Sequence, residues 1–105
     1  YLDPSIGRAQ AGNRSALVVS DETFNQSIEV ITVLPITSRK PGRAIYPNEV
    51  FLSPEESGLE VESVVMVHQI RTISRHRIKR RAGRLSSPDL QEACLEAIQI
   101  HLGMY

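Results

Sequence analysis

Short runs of apolar and β-branched residues recur between residues 15 and 74, and they predict strands. Turn-favouring residues bound each run, as is typical of buried strands. We expect the polar stretch DETFNQ to form a hairpin-like turn, PEESG to form another turn, and Pro35 to end its strand. The predicted strands are 15–20 (SALVVS), 27–35 (SIEVITVLP), 49–53 (EVFLS), 63–69 (SVVMVHQ) and 70–74 (IRTIS).

The end of the chain has the spacing of a helix. Ser87 is placed as an N-cap before Pro88 and Asp89, and Gly103 supplies a stop signal. We therefore predict a mainly β fold of the α+β class: one domain over residues 1–105, a small, strongly bent sheet or barrel with a helix packed on it. The apolar face of that helix consists of Leu90, Ala93, Cys94, Ala97, Ile98 and Leu102.

The segment 37–48 (TSRKPGRAIYPN) is predicted to be a long exposed loop. It holds two prolines, one glycine and three positive charges. Loops of this length often carry function.

Charge is segregated along the chain although the formal net charge is zero. Five acids and no Lys or Arg lie between Glu49 and Glu62, whereas seven Lys or Arg and no acid lie between Arg71 and Arg84. The basic run RHRIKRR (75–81) is typical of a solvated charged face. A polyanionic partner nevertheless stays open, because a local field acts over about 10 Å at ordinary salt.

Composition places the chain in a reducing compartment, which we take to be the cytoplasm. The single cysteine, Cys94, cannot form an internal disulfide. No apolar run approaches the roughly 20 residues of a membrane span, and no signal peptide is present. Since the chain starts at Tyr1, we expect that an N-terminal piece is missing or removed.

Familiar catalytic motifs are absent, and no metal or cofactor is expected. The sequence has no G-x-S-x-G, Walker or G-x-G-x-x-G motif. The histidines, His68, His76 and His101, lack metal-ligand spacing.

Three polar positions lie at the ends of predicted strands: Arg14, Thr37, and the pair His68 and Gln69. If those strands are neighbours, the side chains converge at one edge of the sheet. Arginine, threonine and histidine together suit a phosphate group, because they supply a bidentate fork, a hydroxyl donor and a proton exchanger. A solvated strand-edge arginine and a plain turn threonine remain open alternatives.

Five stretches of the chain occur in the order and spacing of a known family. They are LDPSIG (2–7), AGNRSALVVSDETFN (11–25), LPITSR (34–39), VHQIRTIS (67–74) and GRLS (83–86). With them the sequence resembles the MazF/PemK-like toxins of bacterial toxin–antitoxin pairs. This resemblance implies an SH3-like barrel of the CcdB/MazF type that forms a homodimer, with active sites along a groove between the subunits. It also implies that an initial strand before Asp3-Pro4 is mostly absent from this chain.

The activity implied by the resemblance is that of an mRNA interferase. Such a metal-independent endoribonuclease cuts single-stranded RNA by attack of a 2′-hydroxyl, which leaves a 2′,3′-cyclic phosphate and a 5′-hydroxyl. A MazE-like antitoxin neutralises it. By motif, Arg14 and Thr37 match the family's catalytic arginine and threonine, and we hypothesise that His68 assists as a general base or positions the 2′-hydroxyl.

A positive track with polar donors is expected to bind the RNA. The basic run 75–84 contacts RNA, contacts the antitoxin, or is ordinary surface. The predicted RNA-binding residues are Gln10, Ser20, Ser38, Arg39, Lys40, Arg43, Gln69 and Arg71.

Three positions depart from the family pattern. Ala9 and His68 replace acids, and Ser15 replaces a proline after the catalytic arginine. These changes leave two alternatives open: a weakened homologue that binds RNA or antitoxin, and a CcdB-like inhibitor of DNA gyrase. The CcdB group carries a tryptophan near its C-terminus, which this chain lacks.

Overall fold

A computed structural model describes residues 2–9 and 14–104, except for the side chain of Ala9. Seven strands form one sheet in this part of the chain. They are β1 (Ser5–Ala9), β2 (Ser15–Val18), β3 (Val30–Ser38), β4 (Glu49–Leu52), β5 (Ser63–Met66), β6 (Arg71–Ser74) and β7 (Ile78–Arg84). The helices are α1 (Glu22–Ser27), α2 (Pro54–Ser57) and α3 (Pro88–His101), and 3₁₀ turns span Val67–Gln69 and Arg75–Arg77.

The sheet is antiparallel and is organised around the long strand β3. Its strand order is β4-β5-β3-β2-β1-β7, and β6 pairs with β3 outside this path. One edge of β3 pairs with β2, while the other edge pairs first with β6 and then with β5. The predicted mainly β class with a C-terminal helix is confirmed.

Pro35 does not end its strand, contrary to the sequence-based prediction. β3 runs from Val30 to Ser38, and Pro35 pairs with Ala16 of β2. On the other edge, the pairing with β6 stops at Val33 and the pairing with β5 starts at Ile36. The missing N–H of proline therefore interrupts no ladder on that edge, which is why a proline is tolerated here.

Two segments predicted as turns are short helices, because each follows a good N-cap. The Asp21 carboxylate accepts a hydrogen bond from the Thr23 amide at 3.1 Å and starts α1. The Ser53 hydroxyl accepts one from the Glu56 amide at 3.2 Å and starts α2. The strand predicted over 63–69 ends at Met66, where a 3₁₀ turn begins.

The strands β1 and β7 were not predicted from the hydrophobic pattern. β1 lies between β2 and β7, whereas β7 is an edge strand whose only partner among the described strands is β1, and it carries mostly exposed basic side chains. The two strands approach closely at Gly7, where a Cβ atom would lie 2.7 Å from Cγ2 of Ile78. Glycine is therefore needed at this position for tight packing of β1 on β7.

The two faces of the sheet are packed differently. On one face, Leu17 and Leu34 are fully buried in a large cluster that includes Cys94 and Ala97 of α3. On the other face, Val33 belongs to a small cluster completed by Ile31 and Ile73, with Ala16, Val18 and Ile78 at its margin. Strand alternation explains this split, because neighbouring residues of β2 and β3 point to opposite faces. The face away from α3 is left open.

The terminal helix forms as predicted. The Ser87 hydroxyl accepts a hydrogen bond from the Leu90 amide at 3.4 Å, Pro88 occupies the first turn, and Gly103 follows the helix with a positive φ of 72°. Within residues 2–9 and 14–104, no helix combines the length and apolar character needed to cross a membrane.

Candidate active site

An open groove of about 1270 Å³ lies over the sheet face that α3 does not cover. Its floor includes Val33, Pro35 and Ile73, and its walls are polar. Four arginines and a single glutamate are among the described residues that line it, so the groove is basic although the chain is neutral overall. These charged residues are Arg8, Arg14, Arg71, Arg77 and Glu60.

The structure brings Arg14 and Thr37 together. β2 starts at Ser15, which pairs with Ile36 of β3. Arg14 precedes this pair on one strand and Thr37 follows it on the other, so the two residues occupy facing positions at the next step of the antiparallel register. Both line the groove.

Neither side chain of this pair is engaged elsewhere in the described part of the protein. Arg14 is exposed and Thr37 is half-buried, and no described residue accepts a side-chain hydrogen bond from either. A guanidinium and a hydroxyl are thus both available to an anion in the groove.

Three predicted RNA-binding residues line the same groove: Ser38, Gln69 and Arg71. Ser38 is the last residue of β3, next to Thr37. Gln69 ends a 3₁₀ turn, and Arg71 opens β6, where it pairs with Val33. The pairing of β6 and β5 with successive parts of β3 is what brings these side chains to one surface.

His68 is not among the groove-lining residues, although its neighbour Gln69 is. The two share the 3₁₀ turn at 67–69, where consecutive side chains leave the backbone in different directions. His68 is exposed, and its Nε2 lies 3.5 Å from Nε2 of Gln69. The imidazole of His68 thus lies beside a side chain that lines the groove, and its convergence with Arg14 and Thr37 stays a prediction.

Arg39 and Arg43 are engaged in the loop that follows β3. The Arg39 guanidinium donates to the Arg43 carbonyl at 3.0 and 2.9 Å and lies over the Phe51 ring, 5.2 Å from its centroid. Arg43 donates to both carboxylate oxygens of Glu49, at 3.0 and 2.7 Å. The loop covers 39–48, rather than 37–48 as predicted, because β3 extends to Ser38. Lys40 in this loop is exposed.

The carboxylate of Glu49 is buried and charged. Its side chain is only 2% exposed. Hydrogen bonding from Arg43 is the main cause that lowers the pKa of Glu49 below its ordinary value, while burial opposes that shift. The two arginines and this glutamate thus fix the loop, and neither arginine lines the groove.

Ser20 has a structural position. Its hydroxyl donates to Oδ1 of Asn25 at 2.6 Å and accepts from the Thr32 amide at 3.0 Å, which ties the end of β2 to α1 and β3. Gln10 lies outside the described residues. The RNA-binding roles predicted for the eight residues stay predictions.

Sequence reasoning missed Arg8, Arg77 and Glu60 as groove residues. Arg8 lies on β1, which the hydrophobic pattern did not reveal, and Arg77 belongs to the basic run that also suited ordinary surface. The sequence signal that could have pointed to Arg8 was a single arginine among the small and apolar residues of SIGRA. Among residues 2–9 and 14–104, no three His, Cys, Asp or Glu side chains are grouped to hold a metal ion.

A small antiparallel sheet with one covering helix and a basic groove on its open face places the protein among compact, mainly β domains. Comparison with known proteins identifies the family. Residues 1–102 match the model of the PemK-like, MazF-like toxins of type II toxin–antitoxin systems. The chain belongs to this family.

Relatives and solved structures agree with this assignment. The chain is 36% identical over 109 residues to endoribonuclease MazF9 of Mycobacterium tuberculosis, across 99% of this chain and 90% of that protein. It is 31% identical over 104 residues to endoribonuclease MazF of Staphylococcus saprophyticus, across 99% and 85%. The structure matches the Mycobacterium tuberculosis toxin MazF-mt6 with a TM-score of 0.81 and 27% identity, over 96% of this chain and 98% of that one.

The predicted family and the CcdB/MazF type of fold are therefore confirmed. A similar structure, from a MazE–MazF crystal of Deinococcus radiodurans, has a TM-score of 0.75 and 27% identity, over 95% of this chain and 93% of that one.

Proposed function

We propose that this protein is the toxin of a toxin–antitoxin pair and acts as a metal-independent endoribonuclease on single-stranded RNA, commonly mRNA. One observation carries the proposal: Arg14 and Thr37 face each other across neighbouring strands, without partners among the described residues, on a basic groove. Two relatives that align with nearly the whole chain are endoribonucleases by name, which supports RNA as the substrate.

The chemistry that fits this pair is transesterification at phosphorus. The 2′-oxygen forms a bond to phosphorus while the bond from phosphorus to the 5′-oxygen breaks. The 2′-hydroxyl loses a proton and the leaving 5′-oxygen gains one, which yields a 2′,3′-cyclic phosphate and a 5′-hydroxyl. The reaction passes through a phosphorane that carries additional negative charge.

Arg14 holds that developing charge, and Thr37 acts as a second donor. A guanidinium with a pKa above about 12 is a poor base at neutral pH, so the role of Arg14 is electrostatic. We retain His68 as the proposed general base or 2′-hydroxyl-positioning residue. An unchanged pH–rate profile for RNA cleavage by His68→Ala would exclude it.

The decisive experiment is an RNA-cleavage assay in EDTA with a mixed-sequence RNA. Removal of one preorganised donor costs about 10²–10³-fold in rate, so Arg14→Ala and Thr37→Val are each expected to lose at least that much. Glu92→Gln is the control, because Glu92 is exposed on α3 and does not line the groove. The 5′ ends of the products are mapped, and a 2′-deoxy substitution at the mapped site should block cleavage there.

The same assay separates the alternatives. Intact RNA with retained RNA binding would indicate a weakened homologue. Intact RNA together with inhibition of DNA gyrase would indicate a CcdB-like inhibitor. Cleavage that survives Arg14→Ala would contradict the role of the Arg14–Thr37 pair.

We further propose a homodimer, a MazE-like antitoxin as partner, and a cytoplasmic location. The similarity to structures from MazE–MazF crystals supports the antitoxin. The dimer follows from the family resemblance, and the cytoplasm is where mRNA is available.

A further inference from the structure

Arg8 has a buried polar atom that no described residue satisfies. Its Nε has less than 1 Å² of accessible surface and no hydrogen-bond partner among the described residues. Buried donors in folded proteins are nearly always paired, so each exception calls for an explanation. Arg8 as a whole is only half-buried and lines the groove, so a small shift of its guanidinium would bring Nε to an acceptor on a ligand there.

The charges around Arg8 favour an anion. On one side Arg8 pairs in register with Arg80 of β7, and on the other side it pairs with Ser15, the residue after Arg14. Like charges directly opposite each other on a sheet repel. The ion pairs of the described residues involve other cations: Arg39, Arg43, His76 and Arg84. The acids in these ion pairs are Glu62, Glu49, Glu29 and Asp3, and none of them pairs with Arg8.

Arg8 on β1 and Arg14, which directly precedes β2, both line the groove. Two guanidinium groups in one groove can bind neighbouring groups of one extended polyanion. A guanidinium fork matches phosphate oxygens with more than one hydrogen bond, and Nε is one of the donors in that fork. Nε of Arg8 is therefore a donor of the kind that forms a hydrogen bond to a phosphate oxygen.

We propose that Arg8 is a substrate-positioning residue that binds a phosphate of single-stranded RNA next to the phosphate held by Arg14. This inference rests on the proposed function. The RNA is then bound by Arg8 on β1 as well as by the Arg14–Thr37 pair. It also supplies a counter-ion for Arg8 and Arg14, neither of which forms an ion pair with a described residue.

The test compares Arg8→Met, which removes a charge from the groove, with Glu92→Gln, which removes a charge from the exposed surface of α3. Binding of a short, mixed-sequence, fully 2′-O-methylated RNA is measured by fluorescence anisotropy at several salt concentrations. This probe cannot be cleaved, so binding is separated from chemistry. Loss of one phosphate contact lowers the slope of log K against log salt by about 0.7 for a single strand. We expect that change for Arg8→Met and an unchanged slope for Glu92→Gln.

A stability measurement distinguishes a ligand-binding arginine from a structural one. Arg8→Met removes an unpartnered donor and a like-charge contact while keeping the length of the side chain, so its urea unfolding midpoint should equal or exceed that of the wild type. Arg8→Lys keeps a charge without the fork and should recover part of the salt slope. An unchanged slope for Arg8→Met would overturn the proposal, as would weaker binding only of an acidic peptide.

The proposed RNA cleavage and the assignment of Arg8 can each be contradicted without the other. If the wild type leaves RNA intact in EDTA, the proposed activity is wrong, yet the anisotropy slopes still report whether Arg8 binds a phosphate. If the wild type cleaves RNA and Arg8→Met keeps the wild-type slope, only the assignment of Arg8 is wrong.

Discussion

Glu49 is an acid whose buried position makes its ionisation part of the stability of the fold. Its carboxylate is enclosed at the start of β4 and receives hydrogen bonds from Arg43 and from the Tyr46 amide at 3.1 Å. Because these bonds favour the charged form, the pKa of Glu49 is lowered in the folded state. The 39–48 loop is therefore held by a charge, and acid is expected to weaken it.

The sign of that pH dependence follows from linkage. A carboxyl with a lowered folded pKa stabilises the fold above its unfolded pKa, near 4.3, and the contribution disappears as pH falls through the lowered folded value. We expect the free energy of unfolding, measured by urea titration, to fall less steeply below about pH 5 in Glu49→Gln than in the wild type. Glu92→Gln is the control, because Glu92 is exposed and has no ion pair with a described residue. Parallel wild-type and Glu49→Gln profiles would contradict this account.

Side-chain direction set the limit of what the sequence could predict about the site. Arg14 and Thr37 could be expected close together because each lies at the end of a plain hydrophobic run, and both line the groove. The direction of the His68 side chain could not be predicted, because the strand expected there gives way to a 3₁₀ turn. Arg43 looked like a free loop cation, since its partner Glu49 is recognisable only once the loop folds back on β4.

At the scale of elements, α3 shows how a few local signals define a helix. Ser87, Pro88 and Asp89 give a cap, a preset first turn and an acid near the positive end of the dipole. Each signal acts within one turn, so the helix could be predicted from the sequence. By contrast, β1 and β7 depend on each other across the length of the chain, and no local pattern marks their pairing.

The cap of α3 provides a matched test of this argument. Ser87→Ala removes the acceptor for the Leu90 amide and should cost about 1 kcal/mol of unfolding free energy. Ser86→Ala is the control, because Ser86 is exposed and precedes the cap. Urea unfolding of both variants should show a lower midpoint for Ser87→Ala alone. Equal midpoints would mean that the cap hydrogen bond adds nothing to stability.

Across the whole molecule, β3 connects two hydrophobic clusters, because alternate residues of this one strand belong to each of them. Leu34 contributes to the large cluster beneath α3 and Val33 to the small cluster under the groove. Loss of either cluster therefore disturbs the strand on which the other depends. We expect the described part of the protein to unfold as one unit.

Cys94 offers a probe of that cooperativity. Cys94 lies on the buried face of α3. Burial raises the pKa of its thiol to about 11. At pH 8 the folded protein should therefore resist alkylation by iodoacetamide, and modification should occur only through unfolding. The alkylated fraction across a urea series should follow the unfolding curve measured by circular dichroism. Rapid alkylation before that transition would indicate independent opening of α3.

The pairing of β1 with β7 has a consequence for how the protein is made. These strands, at 5–9 and 78–84, are far apart in sequence, and contacts between distant segments form late because a long loop must close first. A growing polypeptide therefore cannot complete the groove, which Arg77 and Ile78 also line, until the ribosome has translated past β7. During most of its own synthesis, the toxin lacks one side of the surface with which we propose it binds RNA.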